Sequence, residues 1–215
     1  MSQFTLTINF TSAGITTLDN ASMSVAMLQA APDSNYQIVA LLAKPQQNMQ
    51  ITWQDSTWVY TSNYHIKPYT TLQINNSIPA TTGDSYSYNG SQISYAGKGS
   101  QGSVQLSNRD ASTSIVAGLA NQFSLNGEPQ ALAILTAETL LYNGLGTFPI
   151  SSSFYLTALS SCPNVGYVIP ADAIPNTRVE TNSIAAQPAL LLDFSTSPTQ
   201  AVRYDDVNNQ FVPCS

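Results

Sequence analysis

The amino-acid sequence predicts an all-β protein, an antiparallel β-sandwich of jelly-roll type. Three features predict it. Apolar and polar residues alternate with period two from the first strand on, apolar runs have strand rather than helix length, and Asn, Gly, Ser and Pro cluster between them. Alternation sends one set of side chains to a core and the other to water, as sandwich strands require.

The elements follow in order. Phe4, Leu6, Ile8 and Phe10 alternate with Thr5, Thr7 and Asn9, so the chain opens on a half-buried strand. Met23, Val25 and Met27 repeat that phase. Residues 36–43, YQIVALLA, are continuously apolar and are expected as a central strand covered on both faces. Met49, Ile51 and Trp53 alternate again, and WVY and TLQIN supply two further short strands. Residues 81–102 are rich in Gly, Ser and Tyr. There Tyr86 and Tyr88 face Ile93 and Tyr95 across Asn89-Gly90, which tolerates positive φ at both positions and predicts a two-residue hairpin turn. Strands resume at SVQLS, SIVAGLA, QFSLN, SFYLTAL, LLLDFS, QAVRY and QFV. Residues 131–144, ALAILTAETLLYNG, hold helix formers and end in Asn143-Gly144, a left-handed cap; two strands with a turn fit them too, and strand is the reading adopted.

Residues 44–60 and 197–212 both run proline, alternating strand, aromatic, aspartate, polar turn, aromatic strand. The expectation is a single domain over 1–215, with the echo pointing to two related halves, 1–80 and 103–215, sharing one core across the 81–102 hairpin.

The surface predicted by composition is polar but scarcely charged. Ser, Thr, Asn and Gln supply 81 of 215 residues, while 8% are charged, against about 25% in an average soluble domain. Hydroxyls and amides desolvate more cheaply than ions and exert no mutual repulsion, so contact with a like molecule or with sugar is favoured. Net charge is −6, and the six cations, Lys44, Lys67, Lys98, Arg109, Arg178 and Arg203, are scattered singly. Nucleic-acid binding needs cations in clusters, so no nucleic-acid partner is expected. MSQFTLTINF lacks the basic and apolar regions of a signal peptide, and no stretch reaches the ~18 apolar residues of a membrane helix. A cytoplasmic protein, or one held in an intracellular inclusion, is the expectation.

Motifs for catalysis fail one by one. The one histidine, His65 in YHIKPY, has no G-x-S-x-G serine to serve and no partners for zinc beyond Cys162 and Cys214, so it reads as a strand residue. GKGSQG at 97–102 spells G-x-G-x-x-G, but a strand pattern follows where a dinucleotide fold needs a helix. Glu128, Glu138, Glu180 and the turn-like Asp205-Asp206 show no spacing that marks a hydrolase pair. No enzyme activity, cofactor or metal is expected.

Two groups of residues remain. Trp53, Trp58, Tyr60, Tyr64 and Tyr69 fall close together, and rings beside amides can hold a sugar face; core packing uses the same residues and is the favoured role. Cys162 lies in the turn-like SSCPNVG and Cys214 in the tail FVPCS, placed for an intermolecular disulfide if not left as thiols. In scarcity of charge, in polar edge-like strands and in these two cysteines, the chain resembles the leaderless, Asn/Gln/Ser-rich β proteins that build intracellular inclusions or crystals. That class includes the octahedral-crystal protein of mucoromycete fungi, and the resemblance implies disulfide-linked crystals that act as gravity-sensing bodies. It is a likeness of composition, and no site residue is carried over. The function expected is therefore structural: a non-enzymatic protein that self-assembles, its partner another copy of itself. A lectin-like or membrane-acting sandwich module, with glycans as partners, is the alternative.

Overall fold

The computed structural model describes residues 2–29, 35–173, 179–180 and 185–214, with backbone alone at 179, 180 and 185. Along the chain the strands are β1 (Gln3–Asn9), β2 (Met23–Gln29), β3 (Tyr36–Ala43), β4 (Asn48–Gln54), β5 (Thr57–Ser62), β6 (Asn76–Ala80) and β7 (Asp84–Tyr88). They continue as β8 (Ile93–Lys98), β9 (Ser103–Asn108), β10 (Ile115–Leu125), β11 (Glu128–Ile134), β12 (Glu138–Leu140), β13 (Leu145–Pro149) and β14 (Ser153–Ser160). Last come β15 (Val168–Pro170), β16 (Val179–Glu180), β17 (Ala185–Ala186), β18 (Leu190–Asp193), β19 (Thr199–Asp205) and β20 (Gln210–Pro213). The chain is all-β, as its patterning predicts, with one α-helix, α1 (Ser12–Asn20), among the described residues.

Three sheets form. The largest runs β20-β19-β1-β4-β10-β5-β6, with β11 and β12 on the opposite edge of β10; the second runs β15-β3-β2-β14-β17-β16, with β18 on β14; the third is β13-β9-β7-β8. Period-two burial explains how they stack. Leu6, Ile8, Met49, Ile51 and Trp53 from the largest sheet share one cluster with Val25, Met27, Leu156 and Ala158 from the second. This is the contact of a sandwich, and each Val, Leu, Ile or Met side chain in it contributes about 1.5–3 kcal/mol on full burial. β5 and β10 are covered on both faces. Val59, Ala117 and Leu119 meet Tyr86, Val104 and Phe148 of the third sheet, while Tyr60, Val116 and Ala120 meet Ile38 and Val168 of the second.

The run at 36–43 is a central strand, flanked by β15 and β2. Residues 131–144 are strand and turn rather than helix, and Asn143 is left-handed at φ 58° inside a strand-to-strand turn. Other details differ from expectation. SIVAGLA and QFSLN are one continuous strand, β10, because both ends find partners on β5 and β4 in turn. TLQIN is not a strand: Thr71 makes an isolated bridge to Tyr167, Leu72 is buried, and pairing with β5 begins only at Asn76. The 81–102 hairpin forms as β7 and β8, but its loop has four residues, since Tyr88 pairs with Ile93. Gly90 alone is left-handed there; the Asn89 carbonyl Oδ1 instead accepts from the Ser91 and Gln92 backbone N–H groups. The two-residue turn with positive φ at both positions occurs at Asn126-Gly127, between β10 and β11.

Helix α1 lies in a stretch whose Thr, Ser, Gly and Ile are mediocre helix formers. The Thr11 hydroxyl caps it, accepting from Gly14 N–H at 2.9 Å and donating to Asp206 at 2.9 Å. Leu18 is fully buried, and a Cβ on Gly14 would stand 3.0 Å from the Tyr204 ring.

The two ends of the chain interleave. β1 lies between β4 and β19, and β2 between β3 and β14. The echoing stretches pair differently, since β19 and β20 form a hairpin while β4 and β5 lie end to end along one edge of β10.

Candidate functional site

Inward alternation leaves to solvent the opposite face of β19, β1 and β4 and, at the end of β10, Gln122 and Ser124. Register aligns Thr199, Thr5, Thr52 and Ser124 in one row across four strands. Neighbouring rows hold Ala201, Thr7 and Gln50, then Arg203, Asn9 and Asn48, and Gln3 stands opposite Gln54. Strand spacing sets successive members of a row about 4.8 Å apart. Arg203, at one corner, is the charge on these rows, with Asp205 two residues further along β19; the rest, Ala201 apart, is hydroxyl and amide. A hollow of about 320 Å³ opens on this face, walled by Gln3, Thr52, Gln54, Gln122 and Ser124.

The hollow marks a breach in the sheet. β10 pairs with β5 as far as Ala120 and with β4 from Phe123, leaving Asn121 and Gln122 between them. Asn121 bridges the gap: its Nδ2 donates to Gln54 O at 3.0 Å, and its Oδ1 accepts from Gln122 N–H at 2.7 Å. On the inner side of the breach lies a second, smaller cavity of about 50 Å³, with Phe4, Trp53 and Phe154 as apolar wall. Gln29, the last residue of β2 and 2% exposed, lines it. Its Nε2 donates to Ser151 O at 3.0 Å, but its Oε1 has no partner. A buried acceptor left open in this way costs about 1–3 kcal/mol.

The five aromatics do not form one platform. Trp53 is 5% exposed and Tyr60 is fully buried, in separate core clusters, and the Tyr60 hydroxyl donates to Thr136 O at 2.9 Å. Trp58 is half-buried against the Tyr60 cluster. Tyr64 and Tyr69 are exposed on the loop 63–75, Tyr64 donating to Gln73 Oε1. Sequence alternation places Trp53 inward correctly, yet the exposure of Tyr64 and Tyr69 follows from a loop that alternation cannot describe.

Cys162 and Cys214 are both free thiols. Cys162 is half-buried beside Tyr167, and burial pushes its thiol up to about 11. Burial also raises the Tyr167 phenol, with the Cys162 and Tyr69 groups adding to the shift. Cys214 is exposed, just beyond edge strand β20, with Asn9 Nδ2 at 3.9 Å from its sulfur.

The remaining candidates are dispersed. His65 is exposed in a loop rather than in the strand expected, because β5 ends at Ser62. The GKGSQG stretch leads into β9, a strand, as its context predicts. Asp205 closes a turn, accepting from Val207 and Asn208 N–H groups, and Asp206 accepts from Thr11. Glu128 opens β11; Glu138 lies on β12, where burial raises its carboxyl; the Glu180 side chain lies outside the described residues. No group of three or more metal-binding side chains converges among the described residues. No helix there is long and apolar enough to cross a membrane.

No family model matches the chain, and neither any curated protein nor any solved structure is significantly similar to it.

The residues of the breach were not singled out from sequence, although a signal was there. Gln29 follows Met23, Val25 and Met27, and Asn121 follows Ile115, Ala117 and Leu119, both in the core-facing phase. An amide in an apolar phase marks either a bridged break or a site.

Proposed function

We propose that this protein is a self-assembling structural protein, its contacts made through the scarcely charged face of the largest sheet. The observation that carries this is the row Thr199, Thr5, Thr52 and Ser124 with its flanking amides. Such a face loses little on leaving water, offers donors and acceptors at nearly every position, and lacks the like-charge repulsion that keeps surfaces apart. The likeness in composition to inclusion-forming and crystal-forming β proteins supports the same reading.

Light scattering over a concentration series tests it. The native protein is expected to associate as concentration rises, and the double substitution Thr5→Lys with Thr52→Lys is expected to hold it monomeric, since two adjacent ammonium groups must be desolvated on contact. A native protein that stays monomeric at high concentration, or a lysine variant that associates equally well, overturns the reading.

Covalent linkage between copies falls to Cys214. Exchange with a small disulfide such as oxidised glutathione converts the exposed Cys214 thiolate to a mixed disulfide and releases one reduced glutathione. Attack by a second copy's Cys214 then forms the protein–protein bond and releases the other. Cys162, half-buried and with its thiol pushed up to about 11, offers little thiolate at neutral pH. On a non-reducing gel, Cys214→Ser should remove the cross-linked dimer and Cys162→Ser should leave it. The opposite pattern would assign the bond to the other cysteine.

A further inference from the structure

We propose that the inner cavity of the breach is a sugar-binding pocket, one that takes the hydroxymethyl arm of a hexose. The inference is independent of self-assembly, since the cavity lies on the inner side of the sheet. At about 50 Å³ it has room for a few non-hydrogen atoms but not for a sugar ring. Its polar demand is specific. Gln29 Oε1 is buried, unpartnered and an acceptor, so the occupant must bring a donor. Asn121 adds no such demand, because both ends of its amide are engaged within the protein.

The wall sets the rest of the ligand. Phe4, Trp53 and Phe154 offer ring surface to a carbon, and rings at 5.4 Å from Trp53 on two sides leave little freedom in that wall. Asp55, Thr57 and Ser152 also line the cavity, mixing one carboxylate with hydroxyls. Among the described residues no lysine or arginine lines it, which disfavours an anion. A CH₂–OH group satisfies all of this: its carbon lies against the rings and its hydroxyl donates to Gln29 Oε1. The ring hydroxyls of the same sugar then stay near Asp55 and Ser152. Free hexose and the terminal residue of a glycan carry the same group.

Ligand-observed NMR titration with glucose, methyl glucoside and xylose tests the proposal, because xylose is glucose without the hydroxymethyl arm. Glucose should bind in the millimolar range and xylose at least about tenfold more weakly. Methyl glucoside binding as well as glucose supports a glycan terminus as the source, and glucose alone supports free sugar. Gln29→Met keeps the side chain's length while removing the acceptor, together with the Nε2 donor to Ser151 O, and should lose at least about tenfold in affinity. Ser152→Trp, which fills the cavity and leaves Gln29 in place, should also lose binding and answers the question if the first variant folds poorly. No hexose binding by the native protein, equal binding of glucose and xylose, or full binding by the folded variants overturns the proposal.

Discussion

Replacing Gly118 with alanine is expected to destabilise the protein by about 3 kcal/mol, as strong overpacking of a core does. Gly118 lies in the middle of β10, where the chain linking β11 to β12 crosses it. A Cβ at this position would overlap the Thr136 carbonyl. That carbonyl cannot simply move aside, because it accepts the buried Tyr60 hydroxyl at 2.9 Å. The link is held again where Leu119 N–H donates to Thr136 Oγ1 at 2.9 Å and Leu135 N–H donates to Leu119 O at 2.8 Å. Relief of the clash therefore breaks several hydrogen bonds together and leaves a phenol without a partner. Gly127→Ala is the comparison. Its φ of 86° suits glycine, but open space surrounds the position, so a loss of only about 1 kcal/mol is expected. Urea denaturation of the two variants checks the order, and equal losses would mean the crossing at Gly118 is not tight.

Trp53→Ala is expected to lose about 3–5 kcal/mol, the range for a large aromatic removed from a core. Four rings surround Trp53: Phe194 at 4.8 Å, Phe4 and Phe154 at 5.4 Å, and Phe123 at 5.6 Å. They come from β1, β10, β14 and the residue after β18, so this one side chain ties the largest sheet to the second. Trp58, half-buried on β5, should lose clearly less on the same substitution. If the two alanine variants unfold at the same urea concentration, the aromatic cluster is not the centre of the fold.

The strands with clean alternation were legible from sequence because their burial is set by the phase of their own residues. Leu6 and Ile8, and Met49 and Ile51, needed no knowledge of their partners. Helix α1 was not legible. Thr11 and Gly14 hold it by meeting Asp206 and Tyr204, far along the chain, and Leu18 by entering the core. The Asn-Gly pairs make the same point in miniature. At 126–127 the dipeptide forms the tight turn itself, whereas at 89–90 the Asn89 side chain engages Ser91 and Gln92 and lengthens the loop. For the candidate sites the sequence carried composition and phase. It pointed to an uncharged surface and held two amides in core positions, but bringing Gln29 beside Trp53 takes the pairing of β2 with β14 and of β10 with β4.

The position of β1 also governs the order in which the fold can be completed. One side of β1 is claimed by residues 48–54, but its other side takes residues 199–203 in parallel register. During synthesis that second edge must wait, bare, while residues 10–198 emerge. Its Thr and Asn side chains place no charge in the way of a passing strand, so the interval is one of vulnerability to mispairing. Closure comes only with the hairpin of β19 and β20, so a segment made well after β1 is the latch on it.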